Sequence, residues 1–264
     1  MFTFAGDMLL QFYKYQGTGN DFIIIDDRTQ AFNESAELVQ RLCDRRFGIG
    51  SDGVMLIRPS DRADLHLDFL NPDGTRSFCG NGSRCGIRFA HSSGMIGDTC
   101  SFEAVDGIHQ AKVEDSVICI SMKDVDHIHS HSQGTVIHTG SPHLLLPTED
   151  VENVKVKEEG SSIRYSDDFR EEGINVNFIQ INDERSLDIR TYERGVEDET
   201  LSCGTGVTAA AIYLAELKQL TEGPIHVRSR GGDLEVDFKK RESDYVDIWL
   251  LGPAERVYEG SIEI

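Results

Sequence analysis

One four-residue pattern, Cys-Gly-x-Gly, occurs twice in this chain and divides it into two similar halves. The copies are Cys79-Gly80-Asn81-Gly82 and Cys203-Gly204-Thr205-Gly206, which lie 124 positions apart in a sequence of 264 residues. Each copy precedes a stretch with helical spacing, at residues 83–92 and 206–220, and the rest of each half is rich in strand-like segments. The repeat is too long for a solenoid. It predicts two pseudo-equivalent α+β domains, with the functional site in the cleft between them.

A cysteine immediately before a helix has a specific chemical meaning. The start of a helix carries unpaired N–H groups and partial positive charge, which favour a thiolate and can hold a carboxylate. Two such sites would place one sulfur on each face of a carbon, so that a thiolate removes a proton and a thiol returns one. The doubled pattern therefore indicates a racemase or epimerase. A single copy is equally typical of a structural cysteine, and a cysteine hydrolase would leave the second copy unexplained.

Secondary structure can be predicted for further segments. Strands are expected at residues 11–15 and 22–26, joined by a glycine-containing turn, and a helix at 35–46 with Asn33 or Ser35 as its N-cap. In the second half, strands are expected at 134–139, 143–146, 178–182 and 187–193, and the first clear helix is the one that follows Cys203.

Composition excludes several classes of partner. The net charge of −20 argues against binding to nucleic acid or to anionic membrane surfaces. No apolar run reaches the roughly 18 residues of a membrane span, and the N-terminal residues lack a signal-peptide pattern. Met8 is an alternative start, which would make residues 1–7 an extension. Six cysteines in a chain of this length are expected to be reduced, which indicates the cytoplasm.

The sequence predicts neither a cofactor nor a metal site. No pattern indicates a pyridoxal lysine or a nicotinamide fold, so we expect no cofactor. Histidines cluster between residues 127 and 143, and such a cluster is one signature of a zinc site. The acidic and serine-rich neighbours of these histidines are more typical of a solvated linker, so we expect no metal.

Eight motifs, taken in order, resemble those of the diaminopimelate epimerase family over almost the whole chain from about Phe12. They are Gly17–Phe22, Arg46–Gly53, Asn71–Gly74, Cys79–Cys85, Gly140–His143, Asn175–Phe178, Tyr192–Gly195 and Cys203–Gly206.

The resemblance implies a fold and a function. The fold is α+β, with two pseudo-symmetric domains that are each a β-barrel-like sheet around a central helix. The implied domains are residues 1–128 together with the C-terminal tail 253–264, and residues 129–252. The implied function is a pyridoxal-independent isomerase that interconverts LL- and meso-2,6-diaminopimelate in lysine biosynthesis. Its partner would be this small molecule, and a homodimer is left open.

The resemblance also implies a role for individual residues. Cys79 and Cys203 would be the acid/base pair, and His143 and Glu193 would tune them. The substrate-binding residues would hold the reacting carboxylate at the two helix starts and the second amino acid group at the distal end. They are Asn20, Asn71, Gly80, Asn81, Asn175, Glu193, Arg194, Gly204 and Thr205.

The chain departs from the family pattern at a few positions. Gly53 and Ser141 stand where some members have glutamine and asparagine, and the segment before Cys79 is one residue shorter than usual. These departures concern the distal contacts and leave the cysteine motifs intact. The main alternative is a related cysteine-pair racemase acting on proline or hydroxyproline, and a second is an inactive binding protein with the same fold.

Overall fold

The computed structural model describes residues 9–264, so the predicted extension at residues 1–7 lies outside the described residues. The chain divides into two compact units. The first runs to Ile118 and takes up the chain again from Ala254 to Ile264, and the second is Cys119–Pro253. The first unit therefore ends at Ile118, whereas the family resemblance implied a domain that ends at residue 128. The assignment of functional domains stays a prediction.

The helices and strands follow one another in a mostly β order. They are β1 (Leu9–Gly17), β2 (Asn20–Asp26), α1 (Ala36–Cys43), β3 (Gly53–Arg58), β4 (Leu65–Leu70), α2 (Gly80–Ser92), β5 (Thr99–Ala104), β6 (Gly107–Glu114), β7 (Val117–Ser121), β8 (Ile128–His131), β9 (Gly134–His138), β10 (Pro142–Pro147), α3 (Val156–Arg164), β11 (Asn175–Ile181), β12 (Ser186–Glu193), β13 (Asp198–Thr200), α4 (Gly204–Lys218), β14 (Ile225–Ser229), β15 (Gly232–Arg241), β16 (Asp244–Pro253) and β17 (Glu255–Glu263).

In the first unit, antiparallel and parallel pairings alternate. Strands β1 and β2 form an antiparallel hairpin, β2 pairs parallel with β3, β3 antiparallel with β4, β4 parallel with β5, and β5 antiparallel with β6. Each parallel pair needs a crossover connection, and α1 and α2 lie in those two connections. Strand β17 adds to the free side of β1 in antiparallel orientation.

The second unit repeats this sequence of pairings. Strands β9 and β10 pair antiparallel, β10 and β11 parallel, β11 and β12 antiparallel, β12 and β14 parallel, and β14 and β15 antiparallel. Helices α3 and α4 occupy the two crossovers, as α1 and α2 do in the first unit. The α+β class and the internal repeat are therefore confirmed, and Cys79 and Cys203 precede topologically equivalent helices.

The helix after each cysteine is the centre of its unit. Helix α2 packs against β1, β2, β3, β4, β6 and β17, and α4 packs against β9 to β12 and β14 to β16. Residues of α4 are buried on all sides, from Gly204 through Ala215 with few exceptions, which is the pattern of a helix enclosed by other elements. The sheet of each unit curls around this helix, as the sequence predicted.

The hairpin between β1 and β2 sets the position of Asn20. Thr18 and Gly19 are its two loop residues, and both have positive φ, at 50° and 81°. Two-residue loops of this kind match the twist of the flanking strands. Asn20 therefore begins β2 opposite Gly17.

Strand β17 and helix α3 are among the elements that were not predicted from the sequence. Strand β17 is defined by its pairing with β1 at the other end of the chain. Helix α3 contains a glycine and two serines, which are weak helix formers. It packs against β11 and β12, with Val156 buried and Ile163 against the cluster around Tyr192. Tertiary packing, which is not visible in local propensity, stabilises this helix.

Within residues 9–264, no helix is long and apolar enough to cross a membrane.

The close contact between α3 and β12 gives a stability prediction. A Cβ added at Gly160 would lie 2.4 Å from the Cβ of Tyr192. Gly160→Ala is expected to lower the free energy of unfolding by about 1–2 kcal/mol, because overpacking of 1–3 kcal/mol exceeds the gain in helix propensity. Urea denaturation measures the change. Gly97→Ala is the control, since an added Cβ there meets nothing within 4 Å, and a Gly160→Ala protein as stable as the wild type would contradict the packing.

Candidate active site

Cys79 lies at the N-cap of α2, with its sulfur aimed back at the first turn of the helix. The N–H of Gly82 donates to Cys79 Sγ at 3.4 Å. On its other side Sγ lies 3.9 Å from Asn20 Oδ1, an oxygen that accepts the thiol hydrogen. Cys79 is half-buried, whereas Gly80 and Asn81, the next two residues, are buried. The structure thus brings together two residues that the sequence analysis named for the site, Asn20 and Cys79, within this unit.

The side-chain amides of Asn81 and Asn20, next to Cys79, are oriented by a short series of hydrogen bonds that has a charged group at each end. Arg84 Nη2 donates to Asn81 Oδ1 at 2.9 Å, and Asn81 Nδ2 donates to Asn20 Oδ1 at 3.2 Å. Asn20 Nδ2 in turn donates to Asp52 Oδ2 at 2.6 Å. A guanidinium can only donate and a carboxylate can only accept, so neither amide can be turned over. Asn20 Oδ1 therefore faces the sulfur.

Arg84 is the largest side chain that is fully buried in the described part of the protein. Burial lowers the pKa of its guanidinium to about 10, while Cys85 and Cys79 raise it. The group is thus still charged at neutral pH. A buried positive charge in the first turns of α2 adds to the partial positive charge of the helix start.

Asp52 is held in its place by a cationic bridge. Arg45 Nη2 lies 2.6 Å from Asp21 Oδ1 and 2.8 Å from Asp52 Oδ1. Lys14 also pairs with Asp21. Burial alone would raise the pKa of Asp21, but the hydrogen bonds from Arg45 and Lys14 hold it at about 2.

Cys203 lies at the equivalent N-cap, that of α4, and has different neighbours. Its Sγ lies 3.4 Å from Thr205 Oγ1. Thr205 Oγ1 lies 2.9 Å from His143 Nε2, and Ser141 Oγ lies 2.9 Å from the same nitrogen. The structure therefore brings together three sequence-predicted residues, Cys203, Thr205 and His143. Thr205, which is half-buried, stands between the sulfur and the imidazole in this hydrogen-bond chain.

His143 is a neutral imidazole in the folded protein. It is fully buried on β10. Burial lowers the pKa of its side chain to about 3, and the nearby charges of His138 and Arg194 lower it further, against a hydrogen bond from Asn177. An imidazolium paired with a thiolate is therefore not the arrangement at this cysteine.

The second glycine of the repeat allows α4 to approach this cluster. A Cβ at Gly206 would lie 2.7 Å from Asn177 Oδ1 and 3.3 Å from His143 Nδ1. Close approach of a ligand to the backbone is one reason for glycine at such a position. At Gly206 the close neighbours are side chains of the protein itself.

The predicted distal residues occupy well-defined local positions. Asn175 Nδ2 donates to Ser141 Oγ and to the Pro142 carbonyl, and Asn175 Oδ1 accepts from the N–H of Arg194 at 2.9 Å. The exposed Arg194 side chain donates to the carbonyl of Glu172 at 2.8 Å.

Glu193 and Asn71 also have local partners. Glu193 Oε2 accepts from Thr200 Oγ1 at 2.9 Å. Asn71 Nδ2 donates within its own turn, to Thr75 and Ser77. Their predicted contacts with substrate stay predictions.

Two residues of the site were missed from the sequence. Asn177, on β11, donates to His143 Nδ1 at 3.1 Å, and Thr191 Oγ1, on β12, donates to Asn177 Oδ1 at 3.0 Å. Alternation along the strand places Asn177 on the same face as Asn175, so the Asn-Val-Asn pattern held a usable signal. Thr191 is the cross-strand partner of Asn177, and pairing register cannot be read from one strand alone.

The histidine segment does not form a metal site in the part of the chain that the structure describes. Over residues 9–264, no group of three or more histidine, cysteine or acidic side chains is arranged to hold an ion. His131 instead lies against Phe169 and near Asp168.

The chain is similar over almost its whole length to proteins of a known family. The sequence model of the family described as "Diaminopimelate epimerase" matches residues 12–125 and 135–257. A diaminopimelate epimerase of Flavobacterium psychrophilum is 44% identical over 256 residues, covering 96% of this chain and 100% of that protein. The diaminopimelate epimerase of Aquifex aeolicus is 37% identical, covering 96% of this chain and 98% of that protein.

Solved structures share the fold at low sequence identity. A Bacillus anthracis phenazine biosynthesis protein of the PhzF family superposes with a TM-score of 0.77 at 15% identity, covering 97% of this chain and 100% of that one. A hydroxyproline epimerase from Agrobacterium vitis has a TM-score of 0.72 at 17% identity, covering 97% of this chain and 91% of that one. At these identities the likeness shows the fold.

Thiol reactivity is expected to separate the cysteines. Brief treatment with iodoacetamide at neutral pH should modify Cys79 and Cys203 well before Cys43, Cys85 and Cys100. The last three are buried free thiols, and burial raises the pKa of each, to about 11 for Cys100. A thiol that is neutral and inaccessible reacts slowly. Peptide mass spectrometry follows the modification, and early labelling of Cys85 would contradict this assignment.

The neutral state of His143 is expected to make stability depend on pH. An unfolded histidine has a pKa of about 6.5, whereas that of folded His143 is about 3. Between these values only the unfolded chain binds the proton, so the free energy of unfolding falls as the pH falls, by at most about 1.4 kcal/mol per pH unit. His143→Gln should show a flatter dependence between pH 6 and 4 in urea denaturation. Equal slopes for the two proteins would show that His143 is not buried as a neutral group.

Proposed function

The chain belongs to the diaminopimelate epimerase family, and from that premise we propose that it interconverts LL- and meso-2,6-diaminopimelate with Cys79 and Cys203 as its acid and base. It is an amino-acid epimerase, an isomerase, as the named relatives across almost its whole length support. The observation that supports the catalytic pair most directly is topological. Both cysteines are N-caps of the central helices of two units with the same order of strand pairings.

The reaction needs one base and one acid on opposite faces of the α-carbon. A thiolate sulfur accepts the α-proton, and the electron pair left behind is delocalised into the adjacent carboxylate. The thiol on the other face gives its proton to the carbon, which inverts the centre. Each turnover therefore exchanges the protonation states of the two cysteines, and the reverse reaction uses them in the opposite roles.

The carbanion-like intermediate requires stabilisation, and the chain supplies donors for it. The first turns of α2 and α4, at Gly80, Asn81, Gly204 and Thr205, present backbone N–H groups at helix starts, where partial positive charge favours a carboxylate. We assign these N–H groups to the reacting carboxylate. Their hydrogen bonds to it strengthen as negative charge develops. No external electron sink is required in this scheme, so we propose an enzyme that acts without a cofactor.

The far end of diaminopimelate carries a second amino acid group that must be held. We assign Asn71, Asn175 and Arg194 to this task, because a guanidinium pairs with a carboxylate and an amide offers both donor and acceptor. Arg194 is exposed, and its present acceptor is a backbone carbonyl, which a carboxylate would replace favourably. The reduced, buried thiols are compatible with a cytoplasmic enzyme of lysine biosynthesis.

A racemase of the proline or hydroxyproline type is the alternative. The shared fold with a hydroxyproline epimerase favours it only at the level of architecture. A small ring would make no use of Arg194 at a distal position. Assays with diaminopimelate and with proline and hydroxyproline decide between them, and turnover of proline alone would reject the proposed substrate.

The two-base mechanism predicts that either cysteine is essential. Cys79→Ser and Cys203→Ser are each expected to lower kcat for epimerisation at least about 100-fold, since a positioned acid or base contributes this much and a serine hydroxyl ionises poorly. Chromatographic separation of the LL and meso isomers over time measures the loss. Cys100→Ser, the same substitution in a buried thiol on β5, should retain kcat, and full activity in either site variant would reject the mechanism.

A further inference from the structure

The orientation of the Asn177 side chain is fixed by three contacts. Its Nδ2 lies 3.1 Å from the carbonyl of Leu144, which can only accept a hydrogen bond. Its Oδ1 lies 3.0 Å from Thr191 Oγ1, which donates to it. Turning the amide over would place two oxygens against each other at Leu144. The group that faces His143 Nδ1, at 3.1 Å, is therefore the donor Nδ2.

This orientation decides the tautomer of His143. Because Nδ1 accepts from Asn177, it carries no hydrogen, and the neutral ring has its proton on Nε2. The ring is fully buried, as is Asn177, so water does not compete for either nitrogen. Nε2–H then points to the hydroxyl groups of Ser141 and Thr205, each 2.9 Å away.

The hydroxyl groups of Ser141 and Thr205 lie between His143 Nε2 and Cys203 Sγ. Ser141 Oγ already accepts from Asn175 Nδ2 at 3.3 Å and lies 3.2 Å from Thr205 Oγ1. Because the ring donates at Nε2, the Thr205 hydrogen has two acceptors within reach, Ser141 Oγ and Cys203 Sγ at 3.4 Å, and a thiolate is the stronger acceptor of the two. A hydroxyl that donates to sulfur stabilises a thiolate.

We propose that Asn177 is a positioning residue that holds His143 as the Nε2–H tautomer, so that Thr205 donates a hydrogen bond to Cys203. His143 then acts as a neutral donor in this chain, and the proton of Cys203 is not passed to it. The inference rests on the proposed acid/base role of Cys203. It goes beyond that role by naming the residues that stabilise the thiolate form of Cys203.

The substitution Asn177→Asp tests the inference because it changes a donor into an acceptor with almost no change in size. A carboxylate at this place would accept from Nδ1–H, so the neutral ring would carry its proton on Nδ1 and present an acceptor at Nε2. Thr205 would then donate to His143 and no longer to Cys203. His138 and Arg194 are the other charged groups that act on the ring, and both are unchanged in this variant.

Nuclear magnetic resonance of protein labelled with ¹⁵N-histidine reads the tautomer directly, with His143→Gln to assign the signal. The wild-type ring is expected to remain the Nε2–H form from pH 5 to 9. An Nδ1–H ring in the wild type would overturn the proposal, and this measurement needs no variant to fold. In Asn177→Asp, above the pKa of the ring, the Nδ1–H form is expected, and an unchanged tautomer would overturn the proposal.

The consequence at the sulfur is read from alkylation of Cys203. At pH 7 the rate with iodoacetamide is expected to fall about tenfold in Asn177→Asp, as for loss of a hydrogen bond to a charged group. The kcat should fall with a smaller change in KM, since Asn177 is buried behind His143. Thr205→Val should slow alkylation as well while leaving the Nε2–H tautomer in place. An unchanged alkylation rate in both variants would overturn the proposal.

Thr191→Val is the matched control for damage to the buried network. It removes a hydroxyl from the same hydrogen-bonded group, but the carbonyl of Leu144 still fixes Asn177 Nδ2 towards His143. The Nε2–H tautomer and the alkylation rate should both be retained, and a loss equal to that of Asn177→Asp would show a merely structural effect. A wild-type protein with the Nε2–H ring but no epimerisation of diaminopimelate would instead reject the proposed function.

Discussion

Burial of one helix inside a curled sheet is the constraint on which each unit of this protein depends. Helices α2 and α4 are enclosed by strands, so their N-terminal turns are the places where polar backbone groups must be satisfied by something other than the helix itself. A cysteine stands at each of these ends. The glycine three residues on lets neighbours approach the first turn, since a Cβ at Gly82 would meet Phe22 and one at Gly206 would meet Asn177. In each unit the same helix thus determines both the packing of the core and the position of the sulfur.

The polar groups around each cysteine gain their direction from groups that cannot reverse. In the first unit these are the guanidinium of Arg84 and the carboxylate of Asp52, with two asparagine amides between them. In the second unit the backbone carbonyl of Leu144 performs the same task for Asn177. Hydrogen-bond chains that end on such groups specify one arrangement, because reversing an amide would set two donors or two acceptors against each other. The orientation of the groups that face each sulfur is therefore fixed by residues that lie several hydrogen bonds away from it.

Sequence patterns predicted the parts of this architecture that depend on neighbouring residues in the chain. The repeat, the hairpin at Thr18-Gly19, the start of α1 after Ser35 and the two cysteine-led helices all follow from short-range signals. Helix α1 ends at Cys43, earlier than the predicted residue 46, and α3 was missed because its stability comes from packing against β11 and β12. Cys79 and Cys203 were likewise local signals. The contacts of Asn177 and Thr191 depend on the register of neighbouring strands, which a single sequence does not contain.

The side chains that face the two sulfurs differ in polarity, although Cys79 Sγ also accepts from the N–H of Gly82. Cys79 Sγ faces Asn20 Oδ1, an acceptor, and the bond between Asn20 Nδ2 and Asp52 keeps that oxygen in place. Cys203 Sγ faces the hydroxyl of Thr205, which the tautomer proposed for His143 makes a donor. An acceptor favours a protonated thiol and a donor favours a thiolate. In the proposed mechanism the two cysteines begin a turnover in different protonation states and exchange them, and the two units surround equivalent helix starts with different side chains.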